Sequence, residues 1–117
     1  MMTLNHLNLA VADPDRALPF YLQWFGFAEV LRLEDFVKVR DAAGFELSLT
    51  RAEEPRTYPP TFHFGFRLPE PADVLALHAR MAAADVPIKN PLREAEDRVF
   101  FLCLDPDGHK IEVYWES

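Results

Sequence analysis

One pattern that occurs twice constrains this chain most. "LNHLNLAV" (4–11) alternates, with Leu7, Leu9 and Val11 on one side and His6, Asn8 and Ala10 on the other. "TFHFGFRL" (61–68) alternates too, setting Phe62, Phe64, Phe66 and Leu68 against His63, Gly65 and Arg67. A period of two marks a strand with unlike faces. A helical pattern opening on proline follows each strand. His6 precedes Pro14 by eight residues, and His63 precedes Pro71 by eight. A strand meant only for packing has no need of an imidazole on its second face, so that face meets water, a partner or a pocket.

The rest of each half is alike. Asp13 is a good N-cap, Pro14 suits the first helical turn, and Gly26 is a natural stop. Leu18, Tyr21, Leu22 and Phe25 form the apolar stripe between them. Short strands are expected at about 27–33, 36–40 and 45–51, with "DAAG" (41–44) as a turn. Residues 52–60, "AEEPRTYPP", read as a Pro-rich linker. A second helix starts near Pro71, carries Val74, Leu77, His78 and Met81 on one stripe, and ends at Val86-Pro87. "RVFFLCL" and "KIEVYWE" are strands joined by "DPDGH" at 105–109. The fold class is therefore α+β. One domain spans 1–117, built from two βαβββ modules at about 4–51 and 62–116.

Composition excludes several classes. Ten Phe and a half-hydrophobic chain argue against disorder. A net charge of −7 argues against nucleic acid, which needs a basic face. No apolar run approaches the roughly 18 residues of a membrane span, and no secretory pattern opens the chain. Cys103 is the only cysteine, so no internal disulfide forms and a cytoplasmic setting is expected.

Parity then selects candidate functional residues. Glu46 lies opposite Phe45, Leu47 and Leu49, and Glu112 lies opposite Ile111, Val113 and Trp115. If helices cover the apolar faces, His6, Glu46, His63 and Glu112 all project from the other side of the sheet. Two imidazoles and two carboxylates there are a chelating set for a divalent cation. Asn8 and Ser48 share these polar faces and are candidate substrate contacts, as is Tyr114, two residues past Glu112. Arg67 could anchor a substrate anion or form a surface ion pair. His78 on a helix and His109 in a turn read as structural.

"NHLNLAVADPDRALPFY", "FELSL", "FHFGF" and "LDPDGHKIEVYW" together resemble the vicinal oxygen chelate superfamily. This group includes glyoxalase I, fosfomycin-resistance thiol transferases, extradiol dioxygenases and metal-free bleomycin-resistance proteins. The resemblance implies paired βαβββ modules whose sheets curl around a cavity with helices outside. It implies metal ligands at His6, Glu46, His63 and Glu112, and a homodimer. The two-His, two-Glu set resembles that of glyoxalase I. Glutathione-dependent glyoxalases, however, usually carry Arg and Asn where this chain has Ala10 and Thr50. The fosfomycin enzymes are similar around "NHLNLAVAD" and "DPDGH". Lys89 and Arg93 fall in about the right loop for their phosphonate set, while Leu102 stands near the expected Tyr.

The site so read supports Lewis-acid chemistry by one divalent ion (Zn, Ni, Co, Mn or Fe(II)) on a small substrate that chelates through vicinal oxygens. Glu46 or Glu112 would serve as general base. The alternatives are a metal-free drug-sequestering protein, a ring-cleaving dioxygenase and a fosfomycin-type thiol transferase.

Overall fold

Asp13 begins the first helix as its side-chain chemistry dictates. Its carboxylate accepts the Asp15 backbone N–H at 3.0 Å, and Pro14 follows it. In the computed structural model, which describes residues 1–54 and 58–117, the elements run β1 (His6–Val11), α1 (Pro14–Trp24), β2 (Ala28–Leu33), β3 (Phe36–Arg40) and β4 (Glu46–Arg51). The second series is β5 (Phe64–Arg67), α2 (Pro71–Ala83), β6 (Ile88–Glu94), β7 (Arg98–Leu104) and β8 (Lys110–Glu116). Of the linker read at 52–60, residues 55–57 lie outside the described residues. The chain divides into two compact units, Met1–Arg56 and Thr57–Ser117, each a βαβββ module.

Both sheets have the same order, β1-β4-β3-β2 in the first unit and β5-β8-β7-β6 in the second. The first and last strands of each unit pair in parallel; the remaining pairs are antiparallel. A parallel pair needs a crossover, and a helix lies on each one. In the first unit α1 packs on β3 and β4, above a core of Leu9, Val11, Tyr21, Val39, Leu47 and Leu49. In the second α2 packs on β6, β7 and β8, above Val74, Met81, Val99, Phe101, Ile111 and Val113. No helix among the described residues is long and apolar enough to cross a membrane.

Several expectations are corrected in detail. The strand read over 61–68 spans only Phe64–Arg67, so His63 stands one residue ahead of it. β5 is an edge strand, which leaves Phe64 and Phe66 half-buried and Phe62 exposed. Leu22 is also exposed; the buried face of α1 is Pro14, Ala17, Leu18 and Tyr21. α2 ends at Ala83 rather than at Val86-Pro87, because Asp85 takes a left-handed φ of 59° and the Val86 N–H turns back to the Met81 carbonyl at 3.0 Å. The third strand that the second βαβββ module requires after its helix, which the residue pattern does not place, is β6. It contains Pro91 and two register irregularities, and edge strands tolerate both. Lys89 and Arg93 therefore sit on a strand, not in a loop.

Burial separates two superficially similar substitutions. Leu49→Ala, at a fully buried site, should cost about 2–5 kcal/mol. Leu33→Ala, at an edge residue 60% exposed, should stay within about 0.5 kcal/mol of the parent. Urea denaturation of both variants checks the contrast.

Candidate functional site

In the first unit the parallel register sets His6 opposite Glu46 and Asn8 opposite Ser48. Register partners project from the same sheet face. That face is opposite the buried Leu9, Val11, Leu47 and Leu49. β3 continues both rows, with Arg40 beside Glu46 and Lys38 beside Ser48. His6 Nδ1 lies 2.9 Å from Asn5 Oδ1. An amide oxygen only accepts, so Nδ1 is the donor, and the neutral tautomer with that proton has its lone pair on Nε2.

Arg40 grips a single oxygen of Glu46. Its Nη2 donates to Oε2 at 2.6 Å and its Nε donates to the same atom at 3.2 Å. Lys38 Nζ stands 4.0 Å from Oε1. The hydrogen bonds from Arg40 hold the Glu46 carboxyl below the usual carboxylate range. Desolvation, the next largest influence, opposes them, and the nearby charges, Lys38 and Arg40 foremost, add smaller lowering effects.

In the second unit Gly65 is the register partner of Glu112, and His63 precedes Gly65 by two residues. The His63 Nδ1 donates to the Thr61 carbonyl at 3.2 Å, the same orientation through Nδ1, and the neutral tautomer so oriented has its lone pair on Nε2. The glycine has a steric reason. A Cβ there would lie 3.3 Å from the Glu112 carbonyl oxygen and 3.4 Å from the Glu112 Cβ. Arg98 reaches along β7 to Glu112 Oε2 at 3.2 Å, its guanidinium 4.4 Å above the Phe100 ring. Phe100 and Tyr114 are register partners on this face.

The remaining candidates take simpler places. Arg67 is paired with Glu116, through the Glu116 backbone carbonyl and a carboxylate oxygen at 3.7 Å. His78 makes an edge contact with Phe101 at 5.0 Å. His109 is buried, with its ring 4.9 Å from that of Tyr58. Burial pushes the Cys103 thiol up to about 12, so it offers no thiolate at neutral pH. The sequence reading overlooked Lys38, Arg40 and Arg98. The parity of "FVKVR" carried the signal for the first two, since Val37 and Val39 are buried and the cations alternate with them.

The first unit sets an imidazole opposite a carboxylate in register, while in the second His63 stands two residues ahead of the register partner of Glu112. Among the described residues, no three His, Cys, Asp or Glu side chains form a group that could hold a metal ion. The donor types nonetheless fit a divalent cation. Both imidazoles are oriented through Nδ1 by an oxygen acceptor, the arrangement usual for metal-ligating histidine, and each carboxylate keeps its Oε1 outside the arginine's grip.

The depressed Glu46 carboxyl predicts a pH effect. Its pKa is lowered in the folded state, so its stabilising contribution is present above the ordinary carboxylate range and is lost as pH falls through the lowered value. Arg40→Gln should return the Glu46 titration toward higher pH, as measured by carboxyl-carbon NMR.

Comparison with known proteins agrees with this architecture. A profile of the Glyoxalase/Bleomycin resistance protein/Dioxygenase superfamily matches residues 3–113. A glutathione transferase, FosA, from Serratia marcescens is 29% identical over 97% of this chain and 81% of its own length. The solved structure of a possible glyoxalase from Bacillus cereus is 33% identical, with a TM-score of 0.85 over 97% of this chain and 98% of that one. The fosfomycin resistance protein FosX from Listeria monocytogenes shares the fold, with 22% identity and a TM-score of 0.82 over 100% and 95% of the two chains. With two βαβββ modules and a profile match over nearly its whole length, the chain belongs to the Glyoxalase/Bleomycin resistance protein/Dioxygenase superfamily.

Proposed function

We propose that this protein is a metal-dependent enzyme of glyoxalase I-like type, a lyase, isomerase or transferase acting on a small substrate that chelates through two adjacent oxygens. The two units serve as halves of one domain, and His6, Glu46, His63 and Glu112 hold one divalent ion. The observation that carries the reading is the repeated pair. In each unit, an imidazole oriented through Nδ1 by an oxygen lies on, or one residue ahead of, the strand paired with that of a carboxylate whose Oε1 lies outside the arginine's hydrogen bonds. Relatives described as a possible glyoxalase, a glutathione transferase and a fosfomycin resistance protein support the class.

When bound, a divalent ion supplies Lewis-acid polarisation of a substrate oxygen. The chain's own groups do the rest. The two carboxylates differ in their surroundings. Glu46 faces two cations and is held ionised by Arg40, which makes it a weak base. Glu112 meets one guanidinium, at 3.2 Å, and takes the role of general base for a proton on carbon. Tyr114 and Phe100 give the substrate an aromatic wall. A transferase variant of the reaction needs an external thiol, because Cys103 is buried. A homodimer and a cytoplasmic setting complete the proposal.

A second reading, a metal-free drug-binding protein, draws on one observation: Glu46 and Glu112 are each already neutralised within their own unit. Calorimetric titration of chelator-treated protein with Zn²⁺, Ni²⁺, Co²⁺, Mn²⁺ and Fe²⁺ decides between them. One site per chain is expected. It should be lost in His63→Ala and Glu112→Ala, kept in His78→Gln, and weakened as pH falls because protons compete for imidazole. Absence of binding by the parent protein would overturn the metal reading in favour of the second. In sedimentation at micromolar concentration a dimer is expected, and a monomer would remove the homodimer from the proposal.

A further inference from the structure

We infer that Asn8, Ser48 and Lys38 form a subsite for an oxyanion group of the substrate (carboxylate, phosphate or phosphonate), next to the His6–Glu46 row. The register places these three residues in one line across β1, β4 and β3. Neighbouring strands are about 4.8 Å apart, so an anion above the central Ser48 stands about one strand spacing from Asn8 on one side and from the long Lys38 side chain on the other. The row lies two residues along the strands from His6, Glu46 and Arg40, a step of about 6.6 Å. An acid group held there leaves the rest of a small molecule within reach of Glu46 and His6.

The row offers donors in need of acceptors. Asn8 Oδ1 accepts the Thr50 hydroxyl at 2.7 Å, and the Asn8 amide N–H groups have no acceptor among the described residues. The Ser48 side chain, nearly buried, makes no hydrogen bond among the described residues. Lys38 is half-buried, and its one ionic neighbour, Glu46 Oε1 at 4.0 Å, is beyond hydrogen-bond reach. A sheltered ammonium with three unused donors favours an anion. Charge balance points the same way. Lys38 and Arg40 together face the single carboxylate of Glu46, leaving a surplus of one positive charge on this face of an otherwise acidic chain. Any divalent ion added to the row would enlarge that surplus.

That the anion belongs to the substrate rests on the function proposed above, but anion binding itself can be measured without a metal. Chelator-treated protein would be titrated with inorganic phosphate and, in parallel, acetate, by calorimetry and NMR. Binding of at least one anion is expected, with shifts of the Asn8 side-chain amide resonances. Lys38→Met should weaken it by about tenfold or more, the loss of one charge-assisted contact. Lys38→Arg should retain most of the affinity, and Arg80→Gln on α2 should leave it unchanged. Failure of both anions to bind the parent protein, or equal binding by Lys38→Met, would overturn the subsite. Because no divalent ion is present, that failure is separate from the metal titration: uptake of a divalent ion with phosphate affinity indifferent to Lys38 would keep the metal reading and reject this one.

Discussion

Everything at the polar faces depends on the parallel pairing of the first and last strands of each unit. β4 and β8 each have a strand on either side, and each is buried on one face beneath a helix. With one face committed to the core, strand register is no longer free. A slip of one residue would drive Glu46 or Glu112 under a helix and bring Leu47 or Val113 into water. The burial of Leu47, Leu49, Ile111 and Val113 is thus what holds the two carboxylates on the open side. The hydrophobic effect, which has no direction of its own, places the polar chemistry through the pleat of the strand.

The two units share a topology and differ in what they present. Beyond its His–Glu pair, the first offers an amide, a hydroxyl and two cations, joined by Asn8, Ser48, Lys38 and Arg40. The second offers a glycine, two aromatic rings and an arginine lying over one of them. Gly65 is needed where the β5 backbone approaches Glu112. In each half an arginine on an antiparallel neighbour strand contacts the carboxylate, at 2.6 Å for Glu46 and 3.2 Å for Glu112. These arginines are themselves about half exposed, so their ion pairs add little to stability.

Much of this was legible in the residue order. Period-two alternation in "LNHLNLAV" and "KIEVYWE", the short apolar run "RVFFLCL", and the Asp13-Pro14 start of α1 are local signals, and β7 and β8 have the bounds read for them. β6 was not legible, because Pro91 and its bulges break the alternation and only pairing with β7 makes it a strand. The full length of "TFHFGFRL" was overread, since its phenylalanines suggested a buried strand where the sheet has an edge. The early end of α2 rests on a left-handed Asp85, which carries no glycine to announce it.

By itself, the sequence determined which residues share a face: parity puts His6 with Asn8, Glu46 with Ser48 and Glu112 with Tyr114. Only the tertiary structure decided which strands lie side by side, and in what register. That pairing sets Arg40 on Glu46, aligns Lys38 with Ser48 and Asn8, and carries Arg98 across Phe100 to Glu112. The physical reason is the range of the two kinds of information. Alternation is fixed by backbone geometry within a few residues, whereas a neighbour across a sheet is chosen by hydrogen bonding and burial summed over a whole module.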